Sequence, residues 1–143
     1  MADFKEDNRM TLEEETMHWW LSTRLQYVEK SLELCPREAS VIEFGCGTGQ
    51  NIYYLRKKYP QASRIKQIKG VDPALPENFD SSWVSEGDVI TSKYPEETEK
   101  FDLLLATDVV EHIEKDVEIL REWQTYLKPG AIILITVPAF QFL

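Results

Sequence analysis

Residues 41–51 read Val-Ile-Glu-Phe-Gly-Cys-Gly-Thr-Gly-Gln-Asn. Ser40 to Phe44 has the length of a short buried strand, and it runs directly into glycines at 45, 47 and 49. A helix from about Gln50 to Tyr59 is the expected continuation. Strand, glycine turn and helix in immediate succession form the opening unit of an α/β fold. The spacing also limits the ligand. A dinucleotide fingerprint G-x-G-x-x-G would put its third glycine at position 50, where this chain has Gln50. No Gly-Lys-Ser/Thr follows to make a phosphate-binding P-loop, and no G-x-S-x-G occurs for a serine hydrolase.

Outward from this turn, strands and helices alternate. Upstream, Thr11 and Glu14 form a capping-box pair, and Met17, Leu21, Leu25, Val28 and Leu32 recur at spacings of three and four. This pattern predicts a helical arm over residues 1–36, with a break near Ser22 and an end at Pro36. Downstream, strands are predicted at Ile65 to Asp72, Trp83 to Glu86, Phe101 to Thr107 and Ala131 to Val137. Val117, Leu120, Trp123 and Leu127 form a helical stripe, closed by Lys128-Pro129-Gly130. The order specifies an α/β doubly wound sheet. One crossover is too short. Only ten residues separate Asp72 from Trp83, with Pro73 and Pro76 among them, so one helical turn or an irregular loop is expected there in place of a full crossover helix.

A chain of 143 residues suits one domain that buries roughly two-thirds of its unfolded surface. The single domain is read as residues 1–143, with a core from 37 to 143 behind the arm. The 16 Lys and Arg against 25 Asp and Glu give a net charge of -9, which opposes contact with a phosphate backbone. Nucleic acid is therefore not an expected partner. Neither is a membrane: the longest apolar run, Ala131 to Val137, falls far short of the roughly 20 residues that span a bilayer, and MADFKEDNRM has no signal-peptide core. A cytoplasmic protein is expected. Two cysteines and two histidines, with no CxxC, supply neither a disulfide framework nor a metal site.

Val41 to Gly49 resembles the first motif of the class I S-adenosylmethionine (SAM)-dependent methyltransferases. Later segments follow the family's order. Gly70-Val71-Asp72 is similar to the acidic end of its second strand, Gly87-Asp88-Val89 to its third-strand turn, Phe101 to His112 to its fourth-strand motif, and Leu127-Lys128-Pro129-Gly130 to the lead-in to its fifth strand. His18-Trp19-Trp20 followed by Arg24 resembles the arm of a bacterial subgroup acting on small molecules or on lipid-linked and sugar precursors. The resemblance implies a Rossmann-like, mostly parallel sheet in the order 3-2-1-4-5-7-6, with SAM as cofactor, S-adenosylhomocysteine as its product and a small-molecule acceptor. It also implies that the sequence ends before the last two strands. An exposed, apolar fifth strand is then expected, with self-association through it. A non-catalytic module that binds SAM or a nucleotide is the alternative.

Site residues follow from the cofactor's chemistry. Gly45, Gly47 and Gly49 bring the backbone close to the ligand, and the N–H groups of the following helix favour the methionine carboxylate. Glu43 holds the turn's N–H groups or takes a water-bridged bond from the methionine ammonium; the plainer reading is a strand-end carboxylate. Asp72 accepts the ribose hydroxyls, or merely caps a turn before Pro73. The resemblance gives Asp88 the adenine amino group and Val89 a ring nitrogen, whereas a capping Asp88 is the bland reading. Arg24 matches the methionine carboxylate and Trp19 or Trp20 closes over the site, or Arg24 is solvated and the tryptophans belong to the core. Thr107 and Asp108 end the fourth strand and face the methionine portion. No catalytic residue is assigned: His112 reads as a structural cap and Cys46 as packing.

Overall fold

The computed structural model describes residues 19–60 and 64–138. Along the chain it has α1 (Trp19–Glu33), β1 (Ala39–Phe44), α2 (Gln50–Lys58), β2 (Ile65–Val71), β3 (Val89–Thr91), β4 (Phe101–Thr107), a 3-10 turn (Val110–His112), α3 (Asp116–Gln124) and β5 (Leu127–Thr136). All five strands pair in parallel, in the order β3-β2-β1-β4-β5. The expected doubly wound α/β sheet is the observed one. From β1 the chain builds outward through β2 to β3 and then returns to the other side of β1 with β4. That reversal opens a crevice at the carboxyl ends of β1 and β4, where such sheets bind ligands.

The alternation of side chains explains the two layers of core. Every residue of β1 and β4 is buried, because both strands are covered on both faces. Val41, Leu103 and Leu105 join Val28 and Leu32 of α1 and Ile52 and Leu55 of α2 in one cluster. Ile42, Phe44, Leu104 and Ala106 point the other way and meet Trp123 of α3. Phe44 and Trp123 stack with centroids 4.5 Å apart and planes 3° from parallel. Leu21, Leu25, Val28 and Leu32 make the buried stripe of α1, and the helix runs through Ser22 without the expected break. Thr11, Glu14, Met17 and His18 lie outside the described residues, as do the side chains of Trp19 and Trp20. No described helix is long and apolar enough to cross a membrane.

Two assignments from the sequence need correction. Trp83 to Glu86 lies in turns, and the third strand is the three-residue β3 that follows. Trp83 is an anchor, not a strand residue: its indole packs on the α1–α2 side of the core and meets Tyr53 edge-on at 6.0 Å. Of the two expected forms, one helical turn or an irregular loop, the crossover takes the second, and Trp83 covers α2 where a helix would otherwise pack. The second correction concerns residues 127–130, which open β5 instead of ending a helix. Pro129 is accommodated because the β4–β5 register shifts between Phe101 and Leu103 beside it, with Gly130 at φ +78°.

Among the described residues β5 is a sheet edge. Ile133, Ile135 and Val137 are 47%, 38% and 56% exposed. Register places Ile133 beside Leu104 and Ile135 beside Ala106, so these side chains form a strip on the α3 face.

Candidate functional site

The glycine turn between β1 and α2 is held from several directions. Gly45 N–H donates to the Val71 carbonyl at 2.7 Å, and Gly49 N–H to the Cys46 carbonyl at 3.0 Å. Gly47 N–H donates to Asp72 Oδ2 at 2.9 Å. The three glycines serve different ends. A Cβ on Gly45 would lie 2.3 Å from Val109 Cγ2, and one on Gly49 would lie 2.6 Å from Ile90 Cδ1, so packing excludes side chains at both. At Gly47 a Cβ would meet nothing within 4 Å, although its φ of +54° still disfavours an L side chain. The turn is therefore closed at its flanks and open at its tip, which is the shape of a cradle. The first N–H groups of α2 have no partners within the helix and add a partial positive charge there. Cys46 is buried, and burial foremost, helped by Glu43 and Asp72, pushes its thiol well up, which suits a packing role.

Asp72 follows the last residue of β2 and ties the turn to that strand. Its other oxygen, Oδ1, accepts Ala74 N–H at 2.9 Å. Each oxygen keeps one further lone pair for a ligand hydroxyl. Glu43 is not bonded to the turn's N–H groups. It lies beneath the turn, 2% exposed, and its Oε1 accepts Asn51 Nδ2 at 2.5 Å and Thr107 Oγ1 at 3.4 Å. Burial is the main force raising its carboxyl to about 7, against the hydrogen bonds and the nearby Arg24 charge.

Asp108, just past β4, has a left-handed backbone with φ +55°. Its N–H donates to the Thr136 carbonyl at 2.9 Å, and its Oδ2 receives Arg24 Nη1 at 2.8 Å. Arg24 thus reaches the crevice from α1, as its position suggested, but it is engaged by Asp108 and not held open for a ligand carboxylate. Asp88 is bonded within the sheet side of α2. It precedes β3, opposite the middle of β2, and its side chain has no exposed surface. Arg56 Nε and Nη2 grip its two oxygens at 2.6 and 2.8 Å, and Ile68 N–H donates to Oδ1 at 2.8 Å. Val89 pairs with Lys69 at the same level. The structure therefore places neither Asp88 nor Val89 in the crevice.

Three residues were missed by the sequence reading. Arg56 follows no motif, and only its place on the buried side of α2 identifies it. Asn51 is the second residue of α2 and 2% exposed; a polar residue on a core-facing helix position was the available signal. Glu111 lies in the 3-10 turn, with both carboxylate oxygens shielded and lacking hydrogen-bond partners among the described residues. Its neighbour His112 is largely exposed, 3.7 Å from Glu111 Oε1. Among the described residues no group of three or more His, Cys, Asp and Glu side chains is placed to hold a metal ion.

Comparison with known proteins agrees with this fold. A family model described as a methyltransferase domain matches residues 14–142. Phosphoethanolamine N-methyltransferase 1 of Zea mays is 28% identical over 124 residues, which are 80% of this chain and 23% of that protein. Trans-aconitate 2-methyltransferase of Deinococcus radiodurans is 25% identical over 108 residues, 71% of this chain and 38% of its own length. The chain thus spans well under half of either relative. A crystal structure of coclaurine N-methyltransferase, bound to N-methylheliamine and SAH, superposes with a TM-score of 0.62 at 16% identity, over 92% of this chain and 38% of that one.

Proposed function

The chain belongs to the methyltransferase domain family, and from that premise we propose that it binds SAM at the carboxyl ends of β1, β2 and β4 and donates its methyl group to a small-molecule acceptor. The open tip at Gly47, with its N–H pinned by Asp72, is the observation that supports this reading most directly. In it, the glycine turn and the start of α2 receive the methionine carboxylate. Asp72 takes the ribose hydroxyls on its free lone pairs, Glu43 takes the ammonium end, and Thr107 and Asp108 line the wall beside the methionine portion.

When bound, SAM supplies a methyl group on a sulfonium that a nucleophile displaces in line. This chain's own contribution is to hold and enclose. Val109 packs against Gly45 and closes one side of the turn. The Arg24–Asp108 pair joins α1 to the end of β4, so that the arm and the crevice keep one relative position. An amine acceptor would need no residue to remove a proton before attack.

Calorimetry of the chain with SAM and with S-adenosylhomocysteine (SAH) tests the reading, with NAD as control. We expect heat with the first two alone. No signal at millimolar ligand from a folded sample refutes it, and release of SAH in the presence of small acceptors separates an enzyme from a binding module. The exposed strip of Ile133, Ile135 and Val137 beside the free edge of β5 supports a further reading, in which two copies associate through this edge.

A further inference from the structure

A cavity of about 300 Å³ lies between α2 and the passage from β2 to β3, lined by Ile52, Tyr53, Arg56, Lys57, Trp83 and Ser85. It is separate from the crevice. Val109, on the β4 side, packs against Gly45, whereas Trp83 and Ile90 flank Gly49 at the other end of the glycine turn. The cavity therefore falls on the β3 side of that turn, away from Thr107 and Asp108. A crossover helix would cover this face of α2. Here one indole does so, and the space beside it has the size of a small-molecule pocket.

The lining defines the ligand. Ile52, 1% exposed, is an aliphatic floor, and the rings of Tyr53 and Trp83 meet at 72° with centroids 6.0 Å apart. Two rings in such a corner accept a third flat ring, stacked on one and edge-on to the other. The polar groups select its charge. Arg56 is committed to Asp88 and to two carbonyls, so that pair adds little net field. Lys57 is exposed at the rim, its Nζ 5.8 Å from the Tyr53 centroid, and Ser85 adds an exposed hydroxyl. An ammonium in that place repels a ligand cation and attracts an anionic group. Glu86, next to Ser85, does not line the cavity, and carboxylates elsewhere on the surface are screened over roughly 8 Å at physiological salt.

Both rings are joined to Gly49. A Cβ there would stand 2.8 Å from Trp83 Cη2, and Tyr53 N–H donates to the Gly49 carbonyl at 2.9 Å. We propose that this cavity is a ligand site for a flat aromatic ring bearing a carboxylate and, resting on the cofactor reading above, that its occupant raises cofactor affinity through Gly49. A ring held between Tyr53 and Trp83 fixes the last glycine of the turn, so the cofactor has less of the chain to order when it binds. The effect is reciprocal: the cofactor strengthens binding in the cavity by the same factor.

Benzoate is the probe, with benzamide as its uncharged isostere and acetate as the ringless control, followed by heteronuclear NMR. Saturable shifts are expected at the Trp83 indole N–H and the Tyr53, Lys57 and Ser85 amides, half-complete at about 1 mM, with benzamide about fivefold weaker and acetate silent. Lys57→Gln should reduce the preference for benzoate over benzamide below about twofold. Tyr53→Ala should weaken both aromatic ligands alike, by about fivefold. If Tyr53→Ala does not fold, Lys57→Gln, at an exposed position, carries the test. No saturable shift at about 20 mM, shifts scattered away from these residues, or an unchanged preference in Lys57→Gln overturns the site. Calorimetry with SAH, with and without benzoate, then reads the coupling, and an affinity about threefold higher with benzoate is expected. Equal affinity while benzoate occupies the cavity overturns the coupling. A chain that takes benzoate as described but no SAH refutes the cofactor reading, while the cavity's own assignment stands.

Discussion

Replacing Arg56 by Ala should cost this protein a large share of its stability. Arg56 is 10% exposed and Asp88 not at all. Two guanidinium nitrogens hold the carboxylate, while Nη1 bonds the Ile65 carbonyl at 3.0 Å and the Tyr59 carbonyl at 3.3 Å. Truncation leaves a buried carboxylate with one backbone donor, Ile68 N–H. Breaking a buried pair in this way costs about 3–5 kcal/mol, against a total of roughly 5–15 kcal/mol for a typical domain. At about 3 °C per kcal/mol for a chain of this size, the melting point should fall by roughly 10–15 °C. Removing the charge as well, in Arg56→Met with Asp88→Asn, should recover about 1–3 kcal/mol of that loss. Urea titration and thermal melts of the parent, Arg56→Ala, Arg56→Met, Asp88→Asn and the double variant measure both quantities. A loss below about 1 kcal/mol in Arg56→Ala, or a double variant equal to the sum of the singles, refutes the buried-pair argument. SAH affinity of the folded Arg56→Ala protein should stay within about threefold of the parent, because the pair lies away from the crevice.

Four further outcomes are expected. Asp72→Ala should weaken SAM binding by about 1.5–3 kcal/mol in calorimetry, since it loses the ribose contact and frees Gly47 N–H; unchanged affinity would contradict the ribose assignment. Gly45→Ala should destabilise the fold more than Gly47→Ala in thermal melts, because the first collides with Val109 whereas the second carries only about 1–2 kcal/mol of left-handed strain; Gly47→Val should additionally block SAM. For Glu43 the folded carboxyl stands near 7 against 4.5 when unperturbed, so its contribution to stability is full below pH 4.5 and is lost as pH rises to 7. The loss is on the order of 3 kcal/mol, and Glu43→Gln should flatten that slope in denaturant titrations. Finally, Ile133→Lys with Ile135→Lys should raise the monomer fraction in light scattering, and an unaltered size distribution would count against association through β5.

The fold was legible because its decisive pattern is local. Apolar runs at 40–44 and 101–107 and the glycines between β1 and α2 specify two fully buried strands and a turn, which fix the crevice. The reading failed where tertiary contacts decide. Trp83 looked like a strand residue by propensity, yet its ring is worth more as cover for α2. Lys128-Pro129-Gly130 looked like a helix stop, yet a register shift admits it to β5. In the site, Glu43 was legible because it adjoins the turn in sequence, and Asp72 because it ends the next strand. Their partners were not, because Asn51 and Arg56 acquire meaning only when α2 is laid on the sheet. Asp88 shows the converse: its place after Gly87 matched a motif, and its environment made it the buried counter-ion of an arginine.

The helix-free passage between β2 and β3 has a consequence for how the molecule breathes. β3 contributes three residues, paired among the described residues with β2 alone, and its further ties are few: Ile90 and Trp83 on the core, Asp72 N–H to the Thr91 carbonyl, and the adjoining Asp88 with Arg56. Stability in a folded chain is spread unevenly, and segments with few buried contacts open without global unfolding. Amides of residues 89–91 should therefore exchange with deuterium well before those of β1 and β4, whose every residue is buried. Proteases should cut first between 74 and 82. Slow exchange along β4 beside fast exchange at β3 is the expected sign that the sheet is firm on one side of β1 and yields more readily on the other.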